Sequence, residues 1–333
     1  MKTKINLLLG LIVGGVFIWL AFRGTDFEGV KASFKAANYI YIIPVVFLSL
    51  IVQTLRSYRW GVIVEPMEKI SQWTLFSITS VGFMAISLLP VRMGEIVRPY
   101  LISKKSSIKL GSSLATIVVE RIFDMLTLMI FLLIVLIEVE LPQWIFRSAC
   151  SILIVFIPFL FLLIFLSVKR ELSAKGVDRI LGKLPDKISS RLIRLFHSFI
   201  DGLQILPDVK RTIWVVLLSL LIWGLVGIAT YVLFSSFPSM GQLPLTAGYA
   251  VLVITALGVA LPAAPGFIGN YHFSCVLGLT LFGIPKTDAL TFAILLHFIQ
   301  FAVMMLLGLV CLPFIKVSLP KLFKSSEQIT SEG

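Results

Sequence analysis

The sequence predicts an all-α polytopic membrane protein of about six transmembrane helices plus two re-entrant helical hairpins, arranged as inverted repeats. Three observations predict it. Of 333 residues, 58% are hydrophobic and 14% charged, whereas soluble domains carry about 25% charged residues; mean hydropathy is +1.01. Apolar runs of roughly 20 residues, enough to cross a bilayer, recur along the chain. Basic residues gather in alternate loops, as the positive-inside rule requires of a chain threaded back and forth.

The first run, 5–22, is longer than the apolar core of a signal peptide. It ends in AFRGTDF rather than a small-residue cleavage site, so a retained span is expected. An amphipathic stretch follows at 26–38, and further runs lie at 40–60, 112–137, 150–168, 213–236 and 289–313. Lys2 and Lys4 precede the first span, Arg56, Arg59 and Lys69 are read as following the second, and Lys104, Lys105 and Lys109 precede the third. The loop 169–212 holds ten Lys/Arg against five acids, and Lys316, Lys321 and Lys324 close the chain. The opposing loops are poor in bases: 138–148 has two Glu and one Arg, and 237–245 has no charge. Both termini and the 169–212 loop are therefore expected in the cytoplasm. The net charge of +12 follows the membrane in this way and is no sign of nucleic-acid binding.

Two apolar segments do not fit as simple spans. Residues 73–103 begin and end beside cytoplasmic bases and are broken by Pro90, Gly94 and Pro99. Residues 246–283 begin and end outside and are broken by Pro262, Pro265, Gly266 and Gly269. Each is expected to enter and leave on one side, because broken backbone at membrane depth is tolerated only beside protein or a water-filled cavity. The halves then repeat, about 1–140 and 141–315, within one integral membrane domain of 1–315. A polar cytoplasmic tail, 316–333, follows. An odd number of crossings in each half turns the second upside down. Inverted repeats with matching interrupted segments are a transporter signature, the substrate site lying between them.

The chemistry concentrates in LLPVRMGEIVR and VVERIFDML. On a helix starting near Pro90, Arg92, Glu95 and Arg98 share a face at i, i+3 and i+6. Glu120 and Asp124 share another inside the third span, with Arg121 beside them. Charges at that depth are costly and mark a pathway or a site. Two readings stand side by side. In one the six charges, three of each sign, form a buried network pinning the hairpin to the span. In the other the arginines meet a lipid phosphate, whose geometry their forked donors fit, while an acid counterbalances them or carries a proton.

The second hairpin, LPAAPGFIGNYHF, adds Pro265, Gly266, Gly269, Asn270 and His272 as candidates, with backbone N–H groups at a helix start available to an anion. His297 lies within an apolar span and His197 in the amphipathic stretch 186–206, expected to lie along anionic lipid. Trp19, Trp60, Trp73 and Trp144 read as interfacial anchors. Cys150, Cys275 and Cys311 form no CxxC pair, and no G-x-x-x-x-G-K-[ST] loop is present, so no metal, nucleotide or other cofactor is expected.

PVRMGEIVRPYLI, VVERIFDMLTL and LPAAPGFIGNYHF, with RSYRW ahead of them, resemble in order and spacing the signature blocks of the flippase-like integral membrane domain. That family is also called the lysylphosphatidylglycerol synthase transmembrane region, or UPF0104, and the resemblance covers about residues 5–315. Many members have a Gly-Gly pair and a glutamate in the third block, where this chain has Gly266-Phe267 and His272. The resemblance implies a protein of the cytoplasmic membrane that moves lipids or lipid-linked headgroups between leaflets and is not itself an enzyme. Its implied partners are membrane lipids with an anionic phosphate headgroup. A membrane-embedded glycosyltransferase, and a non-catalytic partner of a lipid-modifying synthase or glycosyltransferase, are the alternatives.

Overall fold

A computed structural model describes residues 2–88, 94–138, 143–182, 185–260 and 264–315. Among them all regular structure is helical. The first half contains α1 (Lys2–Phe22), α2 (Phe27–Ala36), α3 (Ile42–Val64), α4 (Gln72–Leu88), α5 (Val97–Lys105) and α6 (Leu110–Glu138). The second contains α7 (Gln143–Val168), α8 (Arg170–Leu181), α9 (Asp186–Gly202), α10 (Val209–Phe234), α11 (Leu245–Ala260), α12 (Asn270–Thr280) and α13 (Lys286–Ile315).

Local chemistry sets several boundaries. The Asp26 side chain accepts from the Glu28 backbone N–H and starts α2, and Asp208 does the same for α10 through Arg211. Asn38 accepts from Ile40 N–H and opens the turn that leads into α3. Pro158 and Pro313 sit inside α7 and α13, a placement common in membrane helices.

Among the described residues three helical segments are long and apolar enough to cross a membrane: Tyr39–Val64, Val209–Phe234 and Lys286–Ile315. α6 has 29 residues but carries Glu120, Arg121 and Asp124. The outward faces are apolar: Ile154 is 72% exposed, Phe161 65%, Phe298 67% and Leu306 63%. Water would oppose such faces; lipid does not.

α3 and α10 run antiparallel through the centre. Ser236 O accepts from Asn38 N–H at 2.8 Å at one end. Arg211 pairs with Glu65 at 3.5 Å at the other. The rest pairs off around them. α4 packs on α13 and α11 on α6, while α2 lies on α13 and α9 on α6.

The helices of the two interrupted segments pack as antiparallel pairs. In the first, α5 returns against α4, and a Cβ on Gly94 would lie 2.2 Å from Ile86 N. In the second, α11 and α12 run side by side, with Asn270 donating to Gly258 O. The hairpins open at opposite ends. Ser107, just after α5, bonds Glu68 at the end holding Arg211, whereas Lys286, just after α12, donates to Leu20 O and Arg23 O at the other. The end of α4 meets the Pro265–Phe267 turn, since a Cβ on Gly266 would lie 3.6 Å from Ser87 O.

The basic 169–212 segment is mostly helical. Arg170 pairs with Asp201, and His197 with Asp178 at 2.8 Å, tying α8 to α9. α9 beds onto α6 where side chains are small: Ser112 donates to Ser198 O at 2.7 Å, beside Gly111 and Gly202.

Candidate functional site

Glu120 and Asp124, one turn apart on α6, are the centre of a buried ion network. Arg98 of α5 meets Glu120 fork to fork, Nη1 to Oε1 and Nη2 to Oε2, both at 3.0 Å. Arg59 of α3 spans both acids, 3.3 Å from Glu120 and 2.6 Å from Asp124, and also donates to Ser219 Oγ of α10 at 2.7 Å. Arg121 closes the ring, 2.8 Å from Glu120 and 3.4 Å from Asp124. Trp223 Nε1 of α10 donates to Asp124 at 2.8 Å. Four helices are therefore joined at two carboxylates.

Glu120 is wholly buried and Arg59 and Arg98 nearly so, at 1% exposure each. Charges so far from water persist only when paired and hydrogen-bonded, and removing one partner strands the others at a cost of about 3–5 kcal/mol. Arg98 gains more from rings, its guanidinium lying 4.4 Å over Trp60 and 5.6 Å over Phe83. Its stem reaches the acid by crossing α4 at Gly82. There a Cβ would come within 2.2 Å of Arg98 Cγ.

The structure redistributes the residues expected from sequence. Arg92 lies outside the described residues. Glu95 belongs to a short 3-10 turn at 94–96 and Arg98 to α5, so the two do not continue one helix from Pro90. Arg56 and Arg59 do not follow the second span; both are inside α3, which runs on to Val64. Trp60 is no interfacial anchor: it is fully buried, with Nε1 donating to Thr116 Oγ1 at 3.0 Å. Trp19 and Trp73 are exposed.

Pro265 and Gly266 form the tip of the second hairpin, and Gly269 and Asn270 start α12. His272 Nδ1 accepts from Gly269 N–H at 3.5 Å, and its Nε2 lies 3.4 Å from His297 Nδ1 on α13. Tyr271 stacks on His297 at 4.5 Å and donates to Gln300 at 3.3 Å.

Between the ion network and this hairpin lies a cavity of about 230 Å³, walled by α3, α10, α11, α13 and the Gly266–Phe267 tip. Its wall is mainly aliphatic, including Val45, Val52, Val226, Val251 and Leu296. Besides the hydroxyls of Ser49, Ser87, Thr230 and Thr255, larger polar groups enter at two places. His297, Gln300 and Tyr271 stand beside the hairpin tip, and Arg56 and Gln53 lie on α3. Trp223 belongs to both sites, its ring on the cavity and its N–H on Asp124. Along α3 the cavity runs from Arg56 to Val45, roughly 16 Å at 1.5 Å per residue.

Arg59, Ser219, Trp223 and the cavity residues of α13 escape a reading of clustered charges. Arg59 carries a signal in retrospect: a second arginine one turn after Arg56, within an apolar run that continues to Val64.

Residues 7–308 match the family described as the lysylphosphatidylglycerol synthase TM region. A UPF0104 membrane protein of Methanothermobacter thermautotrophicus is 22% identical over 328 residues, covering 94% of this chain and 95% of the relative. One from Methanocaldococcus jannaschii is 23% identical over 342 residues, covering 96% and 97%. No solved structure gives a significant match.

Proposed function

The chain belongs to the lysylphosphatidylglycerol synthase transmembrane-region family of membrane proteins, and from that premise we propose that it moves a phospholipid or lipid-linked headgroup between the leaflets of the cytoplasmic membrane. The observation that carries this reading is the cavity where the end of α4 meets the Pro265–Phe267 turn, apolar along its walls and cationic at Arg56. An amphiphile has the same division.

In this reading the chain crosses the bilayer six times, with both termini and α8–α9 cytoplasmic. The halves 1–140 and 141–315 are inverted, and each hairpin is re-entrant. The pairing of α4 with α13 and α11 with α6 supports this, because exchanging the halves exchanges those contacts. Lipid enters laterally with its tails left in the bilayer. Its phosphate is held near Arg92 and Arg98, and Glu95, Glu120 and Asp124 balance the arginines. Arg98 is held by Glu120 at rest, so the network opens around the arriving headgroup. The hairpins then rock against each other to change the side of access.

A deletion strain tests this by the distribution of membrane lipids across the leaflets. The proposal expects normal synthesis with one lipid trapped in the inner leaflet. Loss of synthesis would instead indicate a transferase. A lipid-modifying enzyme co-purifying in stoichiometric amount, with leaflet distribution unchanged, would indicate a recruiting partner.

A further inference from the structure

We propose that Arg56 is the anion anchor of the cavity and that its ligand is the phosphate or phosphodiester group of a single amphiphile. This rests on the lipid-handling reading and adds to Arg92 and Arg98 an earlier contact for the phosphate, inside the cavity.

Arg56 differs from its neighbours. Arg59, Arg98 and Arg121 are each committed to Glu120, Asp124 or both. Among the described residues Arg56 makes no ion pair and donates no hydrogen bond. Its guanidinium instead lies between two rings, 4.9 Å over Phe83 and 5.9 Å over Trp223. Ring contacts of this kind use no N–H donor, so the guanidinium keeps its hydrogen-bonding capacity for a ligand. Arg56 also helps to form the wall of the cavity.

The surrounding charge favours an anion. Among the described residues, Arg56, Arg59, Arg98 and Arg121 gather around the carboxylates of Glu120 and Asp124. Among the described residues Arg56 is the guanidinium here that no carboxylate pairs, in a setting where an uncompensated charge is costly. A phosphodiester supplies one negative charge and paired oxygens that match the guanidinium fork. The rest of the ligand follows from the wall. Beyond Arg56 the cavity is aliphatic for most of its length, which suits a glycerol backbone and the start of an acyl chain. Trp223 links occupancy to the ion network, because the ring beside Arg56 also bonds Asp124.

The test is equilibrium binding to the full-length protein in a non-ionic maltoside micelle. The probes are dihexanoylphosphatidylglycerol and inorganic phosphate. The proteins are wild type, Arg56→Gln, Arg56→Lys and Ala256→Phe, the last placing a ring in the cavity wall. Wild type is expected to bind the short-chain lipid saturably. Arg56→Gln should weaken binding about tenfold or more, the loss of charge-assisted hydrogen bonds, with Arg56→Lys between the two. Ala256→Phe should weaken the lipid and spare inorganic phosphate. Equal, Arg56-dependent binding of inorganic phosphate, untouched by Ala256→Phe, would make free phosphate the source of the same anion and overturn the amphiphile. Absence of saturable lipid binding by wild type, or unchanged affinity in Arg56→Gln, overturns the anchor. If Arg56→Gln does not fold, unchanged affinity in Arg56→Lys and Ala256→Phe does so. Leaflet exchange separates the two levels. Arg56-dependent binding without exchange by wild type removes translocation and keeps the anchor; exchange undiminished in Arg56→Gln removes the anchor and keeps translocation.

Discussion

Glu120 is the residue on which most of the interior depends, because three guanidiniums meet it from three helices. Glu120→Gln keeps the shape and removes the charge, leaving Asp124 to balance all three. The expected loss is about 3–5 kcal/mol, read as a lower thermal unfolding midpoint in detergent. An unchanged midpoint would mean that the network contributes no stability. Arg98→Lys should lose less, since an ammonium keeps the charge but not the fork. The membrane-depth charges in VVERIFDML were legible because charge is rare in apolar sequence. Their arginine partner from α3 was not, because an arginine near the end of an apolar run also fits a solvated flank. Burial decides between those roles, and Arg59 is 1% exposed.

Elements were easier to read than contacts. The expected run 213–236 corresponds to α10 at Val209–Phe234, and 289–313 to α13 at Lys286–Ile315. Length and composition suffice for that. Among the described residues Gly94 lies between α4 and α5, and Pro265, Gly266 and Gly269 between α11 and α12, residues that punctuate any helix, whereas Pro99 falls in the first turn of α5 and breaks nothing. What sequence did not show is that Glu95 and Arg98 fall on separate elements, because a 3-10 turn and a helix share nearly the same spacing. The turn into α12 has a sharp requirement. Gly269 has φ +95°, and a Cβ there would lie 2.4 Å from Gly14 O of α1. Gly269→Ala should therefore cost about 1–3 kcal/mol from backbone strain alone, with the close approach to α1 adding to it. Thermal unfolding checks this, and a neutral result would contradict the tight docking of α1 on this hairpin.

At the scale of the molecule, two hairpins that open at opposite ends make an accessibility prediction. A chain with its native cysteines replaced should, as Ser106→Cys, react with a membrane-impermeant maleimide only from the cytoplasmic face. Gly241→Cys and Gly283→Cys should react only from outside. Labelling of all three from one face would contradict the inverted arrangement. Lipid movement itself is read in reconstituted membranes. Purified protein is placed in proteoliposomes, and leaflet exchange is followed for fluorescent phosphatidylglycerol and for a neutral glycolipid, with wild type beside Arg92→Ala. The account predicts that wild type exchanges phosphatidylglycerol faster than protein-free vesicles and that folded Arg92→Ala does not. Exchange by folded wild type no faster than in empty vesicles, for both lipids, would contradict it.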